Sequence, residues 1–248
     1  MATQPQPQLP LFYRNLVPLN SEMHLGFGVN PHPDVSWTRG THAIPVTVDE
    51  FALIQRHYPI VFTTDEPGVP LALVGLKEGE NMFVTADGQW RERHYIPAYV
   101  RRHPFMLARL SPEAEVLSLV FDDSYGLVTA DAENKLFNGT DPSDTTKNIL
   151  KFCEEFEAAI VRTRSFMEEL GKLGLLMDGQ ASIQNPDMAQ PAQFSGFRMI
   201  DEKKLQNIRG DQARKMVQNG MMGLIYAHLF SLAQMRELFA EMQATGAA

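Results

Sequence analysis

Residues Tyr58–Phe105 read YPIVFTTDEPGVPLALVGLKEGENMFVTADGQWRERHYIPAYVRRHPF. Three short apolar runs stand here, separated by turn dipeptides and closed by a Pro-punctuated, Arg-rich corner. Tyr58–Phe62 has strand composition, Asp65–Gly68 is a turn, and Val69–Leu76 is apolar on both faces, which places it inside a sheet. Lys77–Asn81 turns the chain again, and Met82–Thr85 reads as a third strand. Asp87-Gly88 is a hairpin signal, because both central residues of that turn tolerate positive φ. Tyr95-Ile96-Pro97 then leads into a short helix, Ala98–His103, stopped by Pro104.

Upstream, His42–Val48 is a strand, and Thr47 with Glu50 forms a capping box for a helix of about ten residues ending near Pro59. Leu11–Asn20 has the apolar character of a further strand. Residues 1–10 alternate Gln and Pro and read as a disordered tail. Gly26–Pro31 has two glycines of a dinucleotide loop, but Pro31 stands where the third belongs, so that reading fails. Downstream, Phe105–Leu110 and Glu115–Phe121 are a pair of strands, with Asp122–Gly126 as the turn after them. The pattern changes near Asn138-Gly139. Asp141 or Ser143 caps one long amphipathic helix, on which Ile149, Cys153, Phe156, Ile160, Thr163, Met167 and Leu170 recur at three- and four-residue steps up to Gly171–Gly174. Gln180–Gln193 is polar, Pro-bearing and irregular, and Phe194–Ile200 is strand-like. Asp201-Glu202 caps a short helix, Gly210–Gly220 bounds another, and Leu224, His228, Leu232, Met235, Phe239 and Met242 mark one final helix. The fold class is α+β: a mostly antiparallel sheet in the β-rich half, residues 11–140, packed against the long helix and a helical layer in residues 141–248. The two halves read as one integrated domain, residues 11–243.

Composition bounds the function. The chain has 248 residues, 44% of them hydrophobic, which is enough for a sizeable core. Its net charge of −8 argues against a nucleic-acid partner, which would need clustered Lys and Arg. The single cysteine, Cys153, excludes an intrachain disulfide and lies in an apolar helical pattern. No apolar run approaches the roughly 18 residues of a membrane span, and the first ten residues lack the basic start and apolar core of a secretory signal. A cytoplasmic location is the expectation.

Taken in order, several pieces carry a family resemblance. They are Tyr58-Pro59-Ile60-Val61-Phe62, Leu73-Val74-Gly75-Leu76, Gly79-Glu80-Asn81-Met82-Phe83-Val84, Gly88-Gln89-Trp90 and Tyr95 through Phe105. In the C-terminal half they are Arg162-Thr163-Arg164-Ser165-Phe166, Gly174-Leu175-Leu176, Gly196 through Glu202, and Tyr226-Ala227-His228-Leu229 with Ser231-Leu232. Together they resemble the SapC family of bacterial proteins over roughly residues 11–240. The resemblance implies a soluble protein whose relatives are encoded near TonB-dependent receptors, flavin-dependent tryptophan halogenases and cupin-like oxygenases. It brings no catalytic residues with it. The family pattern has a strand–turn–strand where this chain has its irregular segment 178–193.

Three groups of residues have chemistry to offer. Trp90, Arg91, Arg93, His94, Tyr95, Arg101, Arg102 and His103 concentrate cations and aromatics in an acidic chain. Guanidinium forks there would bind a carboxylate, a phosphate or an acidic surface. Alternatively, Trp90 and Tyr95 edge the core, and the arginines pair with helix carboxylates such as Glu154, Glu157 or Glu168. Glu78, Glu80 and Asn81 sit on a turn, where two carboxylates allow acid–base chemistry and a solvated turn is the plainer account. His32 and Asp34 have the His-x-Asp form of a non-haem iron site, with His94 or His103 as a third ligand. His228 reads as a satisfied core histidine.

The leading expectation is a non-enzymatic SapC-like accessory protein without cofactors. It would contact a protein or peptide partner in a TonB-dependent uptake or a peptide- or tryptophan-modification pathway. The alternatives are a 2-oxoglutarate-type iron oxygenase using His32 and Asp34, and a self-associating surface-layer component. Homo-oligomerisation is left open.

Overall fold

Alternating side chains between Ala43 and Leu73 put Ile44, Ile60, Phe62 and Ala72 on one face of a sheet, each with no exposed surface. Burying a residue of this size stabilises the fold by about 1.5–3 kcal/mol. The computed structural model describes residues 9–30, 34–111, 113–183 and 191–244. The chain divides into two compact units. One comprises residues up to Trp37 together with Arg102–Glu157, and the other comprises Thr38–Arg101 together with residues from Ala158 onward.

The second unit holds a five-stranded antiparallel sheet. Its spatial order is Leu176–Ile183, Ala192–Ile200, Ile60–Phe62, Pro70–Leu73, Ala43–Pro45. Ile44, Ala72 and Ile60 lie in register across three strands. The capping box forms as read: the Glu50 carboxylate accepts from the Thr47 amide at 3.1 Å. It starts a 3-10 turn, Val48–Glu50, and one turn of helix, Phe51–Ile54. Thr163 of the long helix accepts the Val48 amide at 3.0 Å and donates to the Ala159 carbonyl at 2.7 Å. Its hydroxyl thereby fixes the short helix against the long one.

Three local readings are corrected. The described ends of the segment read as irregular, residues 180–183 and 192–193, are strand, part of the antiparallel pair Leu176–Ile183 with Ala192–Ile200. Residues 184–190 of its connection lie outside the described residues. The strands are legible only as polar alternation, because Gln180, Ser182 and Gln193 bond one another across the ladder instead of burying apolar groups. The register shifts at Gly179/Gln180, and Gly196, at φ 89°, is the extra residue opposite. A Cβ on Gly179 would stand 2.1 Å from the Phe197 ring, so the ring packs where only glycine leaves room.

Met82–Thr85 is no ladder strand. It makes a single bridge, Val84 to Trp90, closed by the Thr85 amide donating to Gln89 at 2.9 Å. Asn81 supplies what a ladder would have supplied: its side chain accepts the Phe83 amide at 2.9 Å and donates to the Thr38 carbonyl at 3.3 Å. The final helix is two helices, Met221–Ser231 and Gln234–Ala244. At the break the Ser231 hydroxyl donates to the His228 carbonyl at 2.6 Å and accepts the Ile60 amide at 2.8 Å.

The first unit has a three-stranded antiparallel sheet, ordered Leu16–Pro18, Ser118–Asp122, Phe105–Ala108. The pairing of the last two was expected from sequence. Gly28–Val29 sits between Val128–Thr129 and Asn134–Lys135 in a second small sheet. A Cβ on Gly28 would lie 2.7 Å from the Ala132 carbonyl oxygen, so this glycine serves close backbone approach. Phe105, Leu107, Phe121, Val128, Leu136 and Cys153 form the core of this unit. Burial pushes the Cys153 thiol up to about 11, which removes it as a nucleophile at neutral pH. Ser143 accepts the Thr146 amide at 3.2 Å and caps the 29-residue helix Asp144–Lys172, whose residues up to Glu157 belong to this unit. The fold is α+β, with antiparallel sheets, a long helix and C-terminal helices. Among the described residues no helix is long and apolar enough to cross a membrane.

Candidate functional site

The corner Trp90–Arg101 is fastened to the second unit through its aromatic members. Trp90 is buried and donates from Nε1 to the Tyr58 hydroxyl at 3.0 Å. Tyr58 donates in turn to the Tyr95 carbonyl at 2.7 Å. Burial of Tyr58 raises its phenol well above the ordinary value, so it stays a donor. Glu50, buried behind the capping box, accepts the Ala98 amide at 2.6 Å and the Tyr95 hydroxyl at 3.1 Å. One carboxylate thus ties two distant stretches of backbone together. Desolvation, with the Glu50 charge adding to it, pushes Tyr95 up to about 12.

The cations of the corner are placed differently. Arg101 is exposed, donates to the Tyr95 hydroxyl at 2.8 Å and to the Ile96 carbonyl at 3.0 Å, and lies over the Tyr95 ring. Arg91 is half-buried, lies 5.4 Å from the Phe83 ring centre and pairs with Glu241 at 2.7 Å. His94 packs 5.0 Å from the same Phe83 ring, and its Nδ1 is 2.9 Å from the Glu92 carbonyl oxygen. Arg93 is exposed at φ 62°, a region that non-glycine residues seldom occupy. It makes no hydrogen bond or ion pair among the described residues.

The eight residues read as one cluster divide between the two units. Arg102 and His103 belong to the first unit and are buried there. Arg102 lies 4.4 Å from the Phe156 ring centre and pairs with Glu157 at 3.7 Å, as the helix-carboxylate reading allowed. Burial raises the Glu157 carboxyl, with the Arg102 charge opposing. His103 sits among the rings of Trp37, Tyr125 and Tyr13, at 4.1, 5.0 and 5.2 Å between centres. Neither of its ring nitrogens has a hydrogen-bond partner among the described residues, and burial lowers its pKa to about 4.

Elsewhere, Asn81 is a backbone brace, while Glu78 is exposed and Glu80 half-buried. Glu78 and His42 border a groove of about 230 Å³ walled by Val61, Leu71, Phe197 and Met235. His32 lies outside the described residues, and Asp34 accepts the Ser36 amide at 2.6 Å. No group of three His, Cys, Asp or Glu among the described residues is placed to hold a metal. His228 is fully buried, stacks on Phe62 and accepts the Ile200 amide on Nε2 at 3.1 Å, but its Nδ1 has no hydrogen-bond partner among the described residues, so the ring is only half satisfied.

Two residues beside the corner were not singled out in sequence. The His57 ring lies 5.4 Å from the His94 ring, and Arg56 is close enough to act on His57 electrostatically. They directly precede Tyr58 but read only as the tail of the short helix, so nothing local marked them.

No curated protein and no solved structure matches the chain. The sequence model of SapC matches residues 19–238, and with so much of its length accounted for the chain belongs to the SapC family.

Proposed function

We propose that this SapC-family chain is a non-catalytic accessory protein that recognises a protein or peptide partner through Arg91, Arg93, His94 and Arg101. The observation that carries the reading is the division of labour inside the corner. Trp90, Tyr58, Tyr95 and Glu50 hold the backbone rigidly, while Arg93 and Arg101 present guanidinium groups to solvent. Rigid elements bearing exposed arginines favour recognition because little ordering is lost on binding. The Arg93 backbone conformation supports the same reading, since such strain persists where the surroundings over-determine it. A binding role also suits the uptake and modification pathways that the family resemblance implies.

The test uses the full chain as bait in native lysate. Captured proteins are identified, purified and rebound directly, with wild type compared to the Arg93→Ala, Arg101→Ala double variant. The expected result is about a tenfold loss of affinity with an unchanged unfolding midpoint. Undiminished binding of the purified partner by the double variant overturns the reading.

A further inference from the structure

His57 and His94 form a pair of half-buried imidazoles with rings 5.4 Å apart, on a surface that also carries Arg56, Arg91 and Arg93. Glu92, beside His94 in the chain, is exposed, and Glu241 is engaged by Arg91. Tyr58 and Phe83 form the floor: His57 lies 5.9 Å from the Tyr58 ring and His94 lies 5.0 Å from Phe83. Neither imidazole pairs with a carboxylate among the described residues. The patch therefore holds more positive charge than its own anions balance, in a chain whose net charge is −8.

Resting on the partner-binding reading above, we infer that this patch takes a carboxylate of an acidic peptide segment against the ring nitrogens of His57 and His94, and that protons drive the binding. The chemistry follows from the ring nitrogens. The Glu92 carbonyl can only accept, so Nδ1 of His94 carries a proton, and in the neutral ring Nε2 is left as an acceptor. A second proton turns Nε2 into a donor that an incoming carboxylate can use. His57 resists charging because of burial, with His94 and Arg56 adding repulsion. An anion bound to both rings relieves that repulsion, so binding and protonation reinforce each other. A carboxylate fits because its two oxygens can each accept from one protonated ring.

The experiment uses hexaglutamate as the probe, with affinity measured by calorimetry at about pH 6 and about pH 8 at fixed ionic strength; the probe stays ionised at both. Wild type should bind about tenfold tighter at the lower pH, beyond the change shown by His57→Gln, His94→Gln, which keeps every other titrating group. Arg93→Ala should weaken binding at both pH values. In wild type, the imidazole resonance of His57 should titrate at higher pH when the peptide is present; this holds whether or not the glutamine variant folds. Equal pH dependence in wild type and a folded variant overturns the inference, as does an imidazole titration unmoved by peptide. Displacement of the peptide by an equal concentration of inorganic phosphate overturns the choice of ligand. If hexaglutamate fails while the arginine-dependent partner still binds, this inference falls and the partner-binding reading stands. If partner binding ignores the arginines while hexaglutamate shows the pH effect, the reverse holds.

Discussion

Two buried histidines, His103 in the first unit and His228 in the second, are held in opposite ways. His228 receives the Ile200 amide on Nε2 and lies flat on Phe62, so the ring is part of the sheet's hydrogen bonding. His103 is enclosed by Trp37, Tyr13 and Tyr125 and exchanges no hydrogen bond through its ring among the described residues. Both are held neutral by burial, with pKa values lowered to about 4. The same residue type is thus a hydrogen-bonding element of one core and mainly an aromatic wall in the other.

The sharpest way to break this comparison is His228→Ala. It strands the buried Ile200 amide and opens a cavity beside Phe62, and should cost about 3 kcal/mol in urea unfolding. Acid comes next. Both pKa values lie below the ordinary 6.5, so the unfolded chain binds the extra protons. Stability is therefore full above about pH 6.5 and is lost as pH falls towards about 4, by about 3 kcal/mol per histidine. A flat unfolding midpoint over that window would contradict both assignments. His103→Phe keeps the ring stack and removes two buried polar atoms. It should raise stability by about 1 kcal/mol and halve the acid slope, whereas His228→Phe should destabilise. Smallest is Arg93→Gly, which relieves the positive φ and should add about 0.5 kcal/mol while removing a cation from the proposed site. A loss of stability there would mean that the arginine holds the fold.

What the sequence revealed follows from which forces are local. The Thr47–Glu50 cap, the Ser143 cap, the pairing of the strands beginning at Phe105 and ending at Asp122, and the 29-residue helix all rest on residues near one another in the chain. The hairpin Leu176–Ile183 with Ala192–Ile200 was missed because its alternation is polar on polar. The break at Ser231 was missed because its cause, the Ile60 amide, lies far away in sequence. Within the candidate site, the exposed cations were legible as a charge concentration in an acidic chain. The burial of Arg102 and His103 was not, because the Phe156 and Trp37 rings that cover them come from elsewhere in the chain. His57 was missed for the same reason: its neighbour His94 is adjacent only after folding.

The strand Ile60–Phe62 has one further consequence, for how the chain emerges from the ribosome. One flank is paired at once by Pro70–Leu73, but the other waits for Ala192–Ile200, since Phe62 faces Arg198. At a translation rate of roughly 5–20 residues per second, that flank stays open for on the order of ten seconds. Its side chains are the most apolar in the sheet, so the nascent chain carries an adhesive edge through the middle of its synthesis. A chaperone that shields such edges should be found on ribosome-bound chains stalled before Ala192 and not on chains stalled well beyond Ile200.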